Sequence, residues 1–527
     1  MTLHLEHTAS AKASGGNGAS TETELKLIVP ADRLAALSSS DVIERHARNR
    51  GTVRQLNAVY YDTPDRALWR AGFVLRVRKK GSRYTMTVKS TGPVDNDLLG
   101  RGEWEASVPG IEPAIAMLAS QLPQDFPDVA QETLRPIFAT EVRRRARMLD
   151  LPDASIELAV DEGRIVADDR TAPISELEFE LESGEPTALY DLALDLIEHG
   201  PADVSLRSKA ARGFDLALDR PPAYVKPGKS GVDRKASLDD ALASILGASL
   251  RHLLENKPAA IDGRDPEGVH QVRVALRRLR AILKVMAKAI GAPEAAVFGR
   301  DARWLASQHG DARNWDVFLC ETIYAVERSC PEGGDFNALR DAASRQREGG
   351  YAKARAALAD PRAQRFQLML ARWIERRSWG FAAPEQALST LKAPAGGFAA
   401  TVLEAQHRKV LKRGKRFNRM STEQRHELRL AVKKLRYLTD FLLPICATGK
   451  KAAAYAKSLS RLQDGLGRYN DMATTASLLQ AVANDEAPRG LHAACGAIRG
   501  WQARDLAELE TGLQALWDKF RDHKKPW

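Results

Sequence analysis

The sequence predicts a molecule in two parts, an antiparallel β half followed by an all-α half. Three observations carry this reading. From Thr21 to about Arg220, apolar and charged residues alternate with a period of two. From Ser237 onward, long Ala/Leu/Arg segments take a helical period, interrupted by Gly and Pro. The charge divides at the same place: residues 1–220 hold 27 Lys+Arg against 35 Asp+Glu, and residues 221–527 hold 52 against 33. Such asymmetry points to a polyanionic partner for the second half, and nucleic acid, anionic lipid and polyphosphate all satisfy the charge.

At 527 residues, two or three domains are expected. No apolar run reaches about 18 residues, so no membrane span or membrane partner is expected. The N-terminus shows no signal-peptide core. Cys320, Cys330, Cys446 and Cys495 lie far apart without a CxxC pair, which argues against a cysteine metal site and for a reducing cytoplasm.

Residues 1–20 are small, polar and patternless, and read as a disordered tail. Residues 21–220 form the strand domain. Residues 221–236 (PPAYVKPGKSGVDRKA) are rich in Pro, Gly and Lys and read as a linker. Residues 237–523 form the helical domain, which contains a repeat. HQVRVALRRLRAIL begins at His270 and HELRLAVKKLRYLT at His426; HGDARNWDVF and LGRYNDMATT follow at matching distances. Two ordered blocks at one spacing indicate a duplicated helical unit.

In the strand domain the alternation sets charge on one face. Glu22, Glu24 and Lys26 share a face of the first strand. Arg76 and Arg78 oppose Phe73, Leu75 and Val77, while Lys89 shares its face with Thr85 and Thr87. Further charged faces are Arg101, Glu103 and Glu105; Glu141, Arg143 and Arg145; Glu157 and Asp161; and Glu176, Glu178 and Glu180. A basic strand end follows at Arg207 and Lys209. An antiparallel sheet with a solvated face explains the alternation. A barrel with these faces inward explains, in addition, why carboxylates cluster on some strands and cations on others: carboxylates hold hard divalent cations, and Arg and Lys grip phosphoryl oxygens.

These motifs resemble the CYTH domain of the triphosphate tunnel metalloenzymes. The resemblance runs in order through ExExK (Glu22, Glu24, Lys26), LRVRKKG, TVKS, RGEWE, SELEFELESG and SKAARGF, over about residues 21–220. It implies an eight-stranded antiparallel β tunnel; with the charged faces inward, the apolar faces point outward under covering helices such as one in Ala188–His199. It implies Mg²⁺ or Mn²⁺ at Glu22, Glu24, Glu103, Asp161, Glu178 and Glu180, and phosphate binding by Lys26, Arg76, Arg78, Lys89, Arg101, Lys209 and Arg143 or Arg145. Glu22, Glu24 and Lys26 are carried over as catalytic. The run of arginines at 143–145 leaves the register open, because a slip of one residue exchanges the faces.

In the helical domain, His270, Arg273, Arg277 and Arg280 fall within an arc of about 80° on a helix. His426, Arg429, Lys433 and Arg436 repeat the placement, with Leu276, Leu279, Leu428 and Leu435 on a separate apolar arc. A solvated basic face explains one such stripe; two identical ones favour a binding surface. The pattern resembles the CHAD domain, which implies a pair of four-helix bundles with a basic, polyphosphate-binding cleft. One departure is Asn314, where the family often carries Asp.

The expected function is therefore metal-dependent hydrolysis of inorganic triphosphate, with long-chain polyphosphate bound by the helical domain. A cytoplasmic location associated with polyphosphate granules is expected. Alternatives are adenylyl cyclase or thiamine/nucleoside triphosphatase activity on the same tunnel, and a non-catalytic polyphosphate scaffold. Nucleic acid is disfavoured, since the stripes carry no interleaved aromatics apart from Tyr437.

Overall fold

The structure, a computed structural model, describes residues 20–90, 100–228, 232–381, 383–483 and 487–527. Residues 1–19 of the expected tail lie outside that set. The chain divides into two compact units, Met1–Pro222 with Gln367–Arg372, and Ala223–Phe366 with Trp373–Trp527.

The first unit is built on one antiparallel sheet. Its strands are β1 (Ser20–Ile28), β2 (Thr52–Asp62), β3 (Phe73–Lys80), β4 (Arg83–Ser90), β5 (Gly100–Val108), β6 (Arg135–Leu151), β7 (Ala154–Ala167), β8 (Arg170–Gly184) and β9 (Asp203–Val204). The spatial order is β5-β4-β3-β2-β6-β7-β8-β1-β9. The described residues form nine strands where eight were expected, because the two-residue β9 adds to the edge of β1 at Leu27. β1 pairs with β8 through Glu24–Ile28 and also with β5 through Ser20–Thr23, which brings the two ends of the strand run together. Tight turns set the register. Gly81, at a φ of 62°, opens the two-residue β3–β4 turn, and Asp168, at 52°, opens the β7–β8 turn; both are the left-handed geometry that two-residue hairpins require.

The alternation has apolar residues on both faces. On one, Leu25, Leu27, Leu158, Leu177 and Phe179 are buried. Helices α1 (Ala31–Ser38) and α4 (Thr187–Ile197) pack on β8; between them in chain order come α2 (Asp41–His46) and α3 (Ala67–Arg70). On the same side Phe73, Leu75, Val77, Met86 and Val88 make a core with Leu118 and Leu134. The opposite face is divided along its length. One end is apolar: Tyr60, Val74, Phe138, Val142, Ile165 and Ile174 pack with Ala210 and Phe214 of α5 (Lys209–Ala217). Phe138 stacks on Tyr60 at 4.4 Å between ring centres and meets Phe214 edge-on at 5.3 Å. The other end is charged.

Lys209, expected at the end of a strand, is instead the first residue of α5. Ser208 caps that helix, its side chain accepting from the Ala211 N–H at 3.1 Å. The Ser/Ala-rich sequence SKAARGF favours this local capping over an extended strand.

In the second unit the helices are α6 (Leu238–Asp262), α7 (Pro266–Ala289), α8 (Pro293–Gln308), α9 (Gly310–Val317), α10 (Tyr324–Ser329), α11 (Phe336–Ala359), α12 (Pro361–Glu375, less its residues 367–372), α13 (Glu385–Lys392), α14 (Ala395–Arg413), α15 (Thr422–Cys446), α16 (Lys450–Val482) and α17 (Arg489–Arg521). α7 packs between α6 and α8, and α15 packs between α14 and α16. The two copies differ in detail. α16 runs unbroken through the downstream block, whereas the first copy breaks at His309 and passes through a π turn at Phe318–Ile323. The copies are also not separate bundles: one core joins Trp315, Phe318, Phe336 and Leu339 of the first to Leu479, Leu491 and Ile498 of the second. Within the expected linker, Val225 is held to α6, its N–H donating to Asn256 Oδ1 and its carbonyl accepting from Asn256 Nδ2, both at 2.9 Å.

Gly213 gives a direct test of how α5 is seated. A Cβ there would stand 2.1 Å from the Phe138 ring. Gly213→Ala should lower the stability of the strand unit by about 1–3 kcal/mol through overpacking. Urea unfolding followed by tryptophan fluorescence checks this, and an unchanged midpoint would show that α5 is not held against Phe138.

Candidate functional site

The charged end of the sheet gathers residues from β1, β6, β7, β8 and α5. Alternation sends Asp161 of β7 and Glu176 and Glu178 of β8 to one side, where all three are buried. One carboxylate oxygen from each lies within 4.8 Å of the others. Four cations close on them. Lys209 Nζ lies 2.6 Å from Asp161 Oδ2 and 2.9 Å from Glu178 Oε1, and it also contacts Glu176. Lys26 Nζ bridges Glu178 at 2.8 Å and Glu24 at 3.3 Å. Arg144 donates two parallel hydrogen bonds to Asp161, at 2.7 and 2.6 Å, and a further one to Glu178. Arg212 donates to Glu176 at 2.5 Å.

Burial opposes every one of these charges, so the observed balance is set by the partners. Burial lowers Lys209, but Glu178, Glu176 and Asp161 outweigh it and hold the ammonium well above its ordinary pKa. Burial would raise Glu178, yet Lys209, Lys26 and Arg144 hold it well below the usual carboxylate range. Burial likewise opposes the charge of Asp161, and Lys209 and Arg144 keep it ionised. The donors are all carboxylate oxygens, the set that Mg²⁺ or Mn²⁺ takes.

A second group lies on β3, β4 and β5. Lys89 Nζ is 2.7 Å from Glu103 Oε2, and Arg76 donates to Glu103 Oε1 at 3.4 Å. Glu105 accepts from Thr87 at 2.7 Å. Arg78 sits differently. Arg76, then burial, then Arg144 push its guanidinium down to about 10, and it makes no ion pair among the described residues.

The structure corrects the arginine register. Arg144 faces the carboxylates, and neither Arg143 nor Arg145 does. Arg143 is exposed and stands 3.7 Å from Glu162; Arg145 donates to the Ser38 carbonyl and hydroxyl at 3.2 and 3.1 Å. The reason is strand parity. Phe138, Thr140 and Val142 are buried on the inner face of the first half of β6, which sets the even positions inward up to Arg144, and Arg144 lies directly opposite Asp161 in the β6–β7 register. A buried Asp on one strand calls for a cation at its register partner, and that signal selects Arg144. Glu176 belongs to the cluster and was not among the expected metal-binding residues, although its face was read correctly. Glu180 lies beside Glu24 and Glu157 in the strand register, adjoining the cluster without belonging to its closest trio. The side chains of Glu22 and Arg101 lie outside the described residues; their backbones pair with each other.

In the helical unit, the stripes of α7 and α15 converge. Arg277 lies over the Tyr437 ring at 5.5 Å from its centre. Burial, then Arg277, Arg429 and Arg273, lower Lys433 to about 8. Burial, then Arg277 and Arg313, lower Arg273 to about 10. His270 is pushed down to about 4 by burial and by Arg313, so it is neutral near pH 7. Its Nδ1 and the Nε atoms of Arg273 and Arg277 are buried without a hydrogen-bond partner. Arg273 still donates to the Ala306 carbonyl at 2.8 Å, and Arg436 to the Ser460 hydroxyl at 2.9 Å. Burial also lowers Arg280 and Arg429. His426 is exposed, unlike its counterpart His270. Asp316, two residues after Asn314, is held by Arg347 at 2.7 Å and by the Tyr351 hydroxyl at 2.9 Å, and so serves the helix core.

Comparison with known proteins agrees with this division. Residues 20–214 match the CYTH domain, and residues 244–480 match the CHAD domain. The chain is therefore a two-domain protein, a CYTH domain followed by a CHAD domain. An inorganic triphosphatase of Haemophilus influenzae is 37% identical over 164 residues, which are 31% of this chain and 46% of that protein. The match thus spans about half the length of that relative. An uncharacterised protein of Mycobacterium tuberculosis (strain CDC 1551 / Oshkosh) is 24% identical over 361 residues, 64% of this chain and 67% of its own length. The crystal structure of the CHAD domain from Ricinus communis is 30% identical, with a TM-score of 0.48, covering 58% of this chain and 99% of that one.

The register correction has a measurable consequence. Arg144→Met removes one partner of the fully buried Asp161 and should cost about 3 kcal/mol of stability. Arg143→Met breaks a long, exposed pair and should stay within about 0.5 kcal/mol of the parent. Equal urea midpoints for the two variants would contradict the placement.

Proposed function

We propose that the strand domain hydrolyses inorganic triphosphate with a divalent cation, and that the helical domain binds polyphosphate. The observation that carries the first part is the buried meeting of Asp161, Glu176 and Glu178 with Lys26, Lys209 and Arg144. Phosphoryl transfer asks a protein for positioning and charge neutralisation, and this cluster offers both signs of charge at contact distance. The Haemophilus relative, an inorganic triphosphatase, supports the choice of substrate.

Asp161, Glu176 and Glu178, with Glu24 and Glu180 beside them, would hold the cation, with Glu22 and Glu103 as further candidates. A bound Mg²⁺ or Mn²⁺ supplies neutralisation of the phosphate chain and a positioned water. Lys26, Lys209 and Arg144 would then turn from carboxylate to phosphoryl oxygens. Arg76, Arg78 and Lys89 would grip the chain from β3 and β4, where Arg offers two parallel donors to one phosphoryl group. Arg101 stands opposite Glu22 in the strand register, at the junction of β1 and β5.

Phosphate release measured on tripolyphosphate, ATP and thiamine triphosphate, with Mg²⁺ or Mn²⁺, tests the reading. Tripolyphosphate should be the preferred substrate, and excess chelator should abolish turnover. Glu24→Gln keeps the shape and removes one negative charge; kcat should fall by about 100-fold or more. Parent-like activity in that variant would remove Glu24 from the site, and preference for ATP would favour a nucleotide-directed activity.

For the helical domain, support comes from cations that lower one another's pKa around partnerless buried nitrogens. Arg273, Arg277, Arg280, Arg429, Lys433 and Arg436 are the proposed contacts, with His270 and His426 at the stripe ends. Without ligand, the Lys433 ammonium is lowered to about 8, by burial first and then by Arg277, Arg429 and Arg273, with Asp471 opposing them. A polyanion favours its charged form, so binding takes up a proton above that pH. Long-chain polyphosphate affinity, measured by calorimetry, should therefore fall from pH 7 to pH 9.5, by up to about tenfold per unit above pH 8. Lys433→Arg should flatten that fall; an identical profile in the variant would show that Lys433 does not meet the ligand.

A further inference from the structure

We infer that the two basic stripes of the helical domain are unequal half-sites. A polyphosphate seats a phosphoryl group first on the α7 side, at Arg273, Arg277 and Arg313, and Arg429 and Arg436 of α15 extend the path. The inference rests on the polyphosphate reading of this domain given above. It is carried by differences between the two copies of the repeat at equivalent positions.

Aligned on His270 and His426, Arg273 corresponds to Arg429, Arg280 to Arg436 and Lys284 to Asp440. Aligned on Gly310 and Gly467, Arg313 corresponds to Asn470 and Asn314 to Asp471. At these last two positions the first copy carries a cation and no anion, and the second an anion and no cation. The surroundings follow the difference. Burial lowers Arg273, and Arg277 and Arg313 add to the effect. Burial also lowers Arg429, but there Asp471 opposes it. Arg436 has Asp440 at 3.7 Å, where the first copy has Lys284. Arg313 meets Glu321 at 3.6 Å, and that carboxylate is exposed.

Hydrogen bonding divides the same way. His270 Nδ1, Arg273 Nε, Arg277 Nε and His309 Nε2 are buried without a partner, and all belong to the first copy. Among the described residues, no side-chain nitrogen of the α15 stripe is buried in that way, and Arg436 donates to the Ser460 hydroxyl at 2.9 Å. A buried donor without an acceptor is costly, and phosphoryl oxygens supply acceptors to the arginine N–H groups. The break in the first copy adds to the seat. Arg273 takes the Ala306 carbonyl at 2.8 Å, and a Cβ on Gly310 would stand 3.7 Å from its Nη1. The guanidinium therefore lies at the start of α9, the end of a helix that favours an anion, beside the fully buried His309. α16 runs unbroken through the equivalent residues, so the second copy has no helix end there. Asp311, in the first turn of α9, is exposed and paired with Lys353 at 3.0 Å; its counterpart Arg468 is paired with Asp505 at 3.3 Å.

The test measures binding of pyrophosphate and of long-chain polyphosphate to the full-length chain by calorimetry, with chelator present. Any pyrophosphate held by the strand domain is common to all variants and cancels in their comparison. Arg313→Gln should weaken pyrophosphate binding by about tenfold or more, and Arg429→Gln by less than about twofold. Both should weaken binding of the long chain. Asp471→Asn should strengthen the long chain by about threefold and leave pyrophosphate unchanged. Urea midpoints check the fold; if Arg313→Gln lowers its midpoint, Arg277→Gln carries the same expectation. Equal weakening of pyrophosphate by the two arginine variants would overturn the inference. So would a larger loss in Arg429→Gln, or no loss in Arg313→Gln. If the parent binds no long-chain polyphosphate, the polyphosphate reading fails separately, and the pyrophosphate comparison still decides between the halves.

Discussion

The strand domain depends on the mutual compensation of Asp161, Glu176 and Glu178 by Lys26, Lys209, Arg144 and Arg212. Removing an ion from water costs several kcal/mol even after relaxation, and each of these carboxylates is largely or wholly buried. None could be buried alone. The cations come from three places, Lys26 on β1, Arg144 on β6 and Lys209 and Arg212 on α5, so the charges are satisfied only when those elements occupy their places together. This gives α5 two tasks. Phe214 seals the apolar end of the inner face, while Lys209, one turn and a half earlier, completes the charged end. The same compensation makes the site responsive: a ligand that supplies positive charge to the carboxylates and negative charge to the cations replaces interactions that already exist.

The helical domain solves the opposite problem. Along α7 and α15 like charges crowd: besides burial, Arg277 lowers Arg273, and Arg277, Arg429 and Arg273 lower Lys433. That repulsion costs stability, and it persists because apolar seams on the other arc of each helix hold the frame. Leu276, Leu279, Leu428 and Leu435 are fully buried. Opposite charges thus compensate one another in the carboxylate cluster of the strand domain, and like charges crowd together along α7 and α15 of the helical domain.

Much of this was legible in the sequence, and the exceptions have physical causes. Period-two alternation identified the charged faces of β1, β3, β4, β7 and β8, because side-chain direction in a strand follows parity alone. It failed at Arg143–Arg145, where three identical residues erase the parity signal; only the long-range partner, Asp161, resolves it. Lys209 was read as a strand residue because its local sequence is short, and its helix is fixed by the Ser208 cap and by packing on Phe138. In the helical half, the repeat revealed the two stripes. That the copies share a core across Trp315, Phe318 and Leu479 could not be read from periodicity, which reports what each helix buries and not against what.

The claim that the cations are held by carboxylates until a ligand replaces them is tested most directly by thermodynamic coupling. Binding of a non-hydrolysable triphosphate analogue can be measured by calorimetry with and without Mn²⁺, allowing for the complex that the two form in solution. Without the divalent cation, the analogue must compete with Asp161 and Glu178 for Lys26, Lys209 and Arg144. The account predicts that Mn²⁺ strengthens analogue binding by about tenfold or more, and that the analogue strengthens Mn²⁺ binding by the same factor. Equal affinity in the absence and presence of the cation would contradict it.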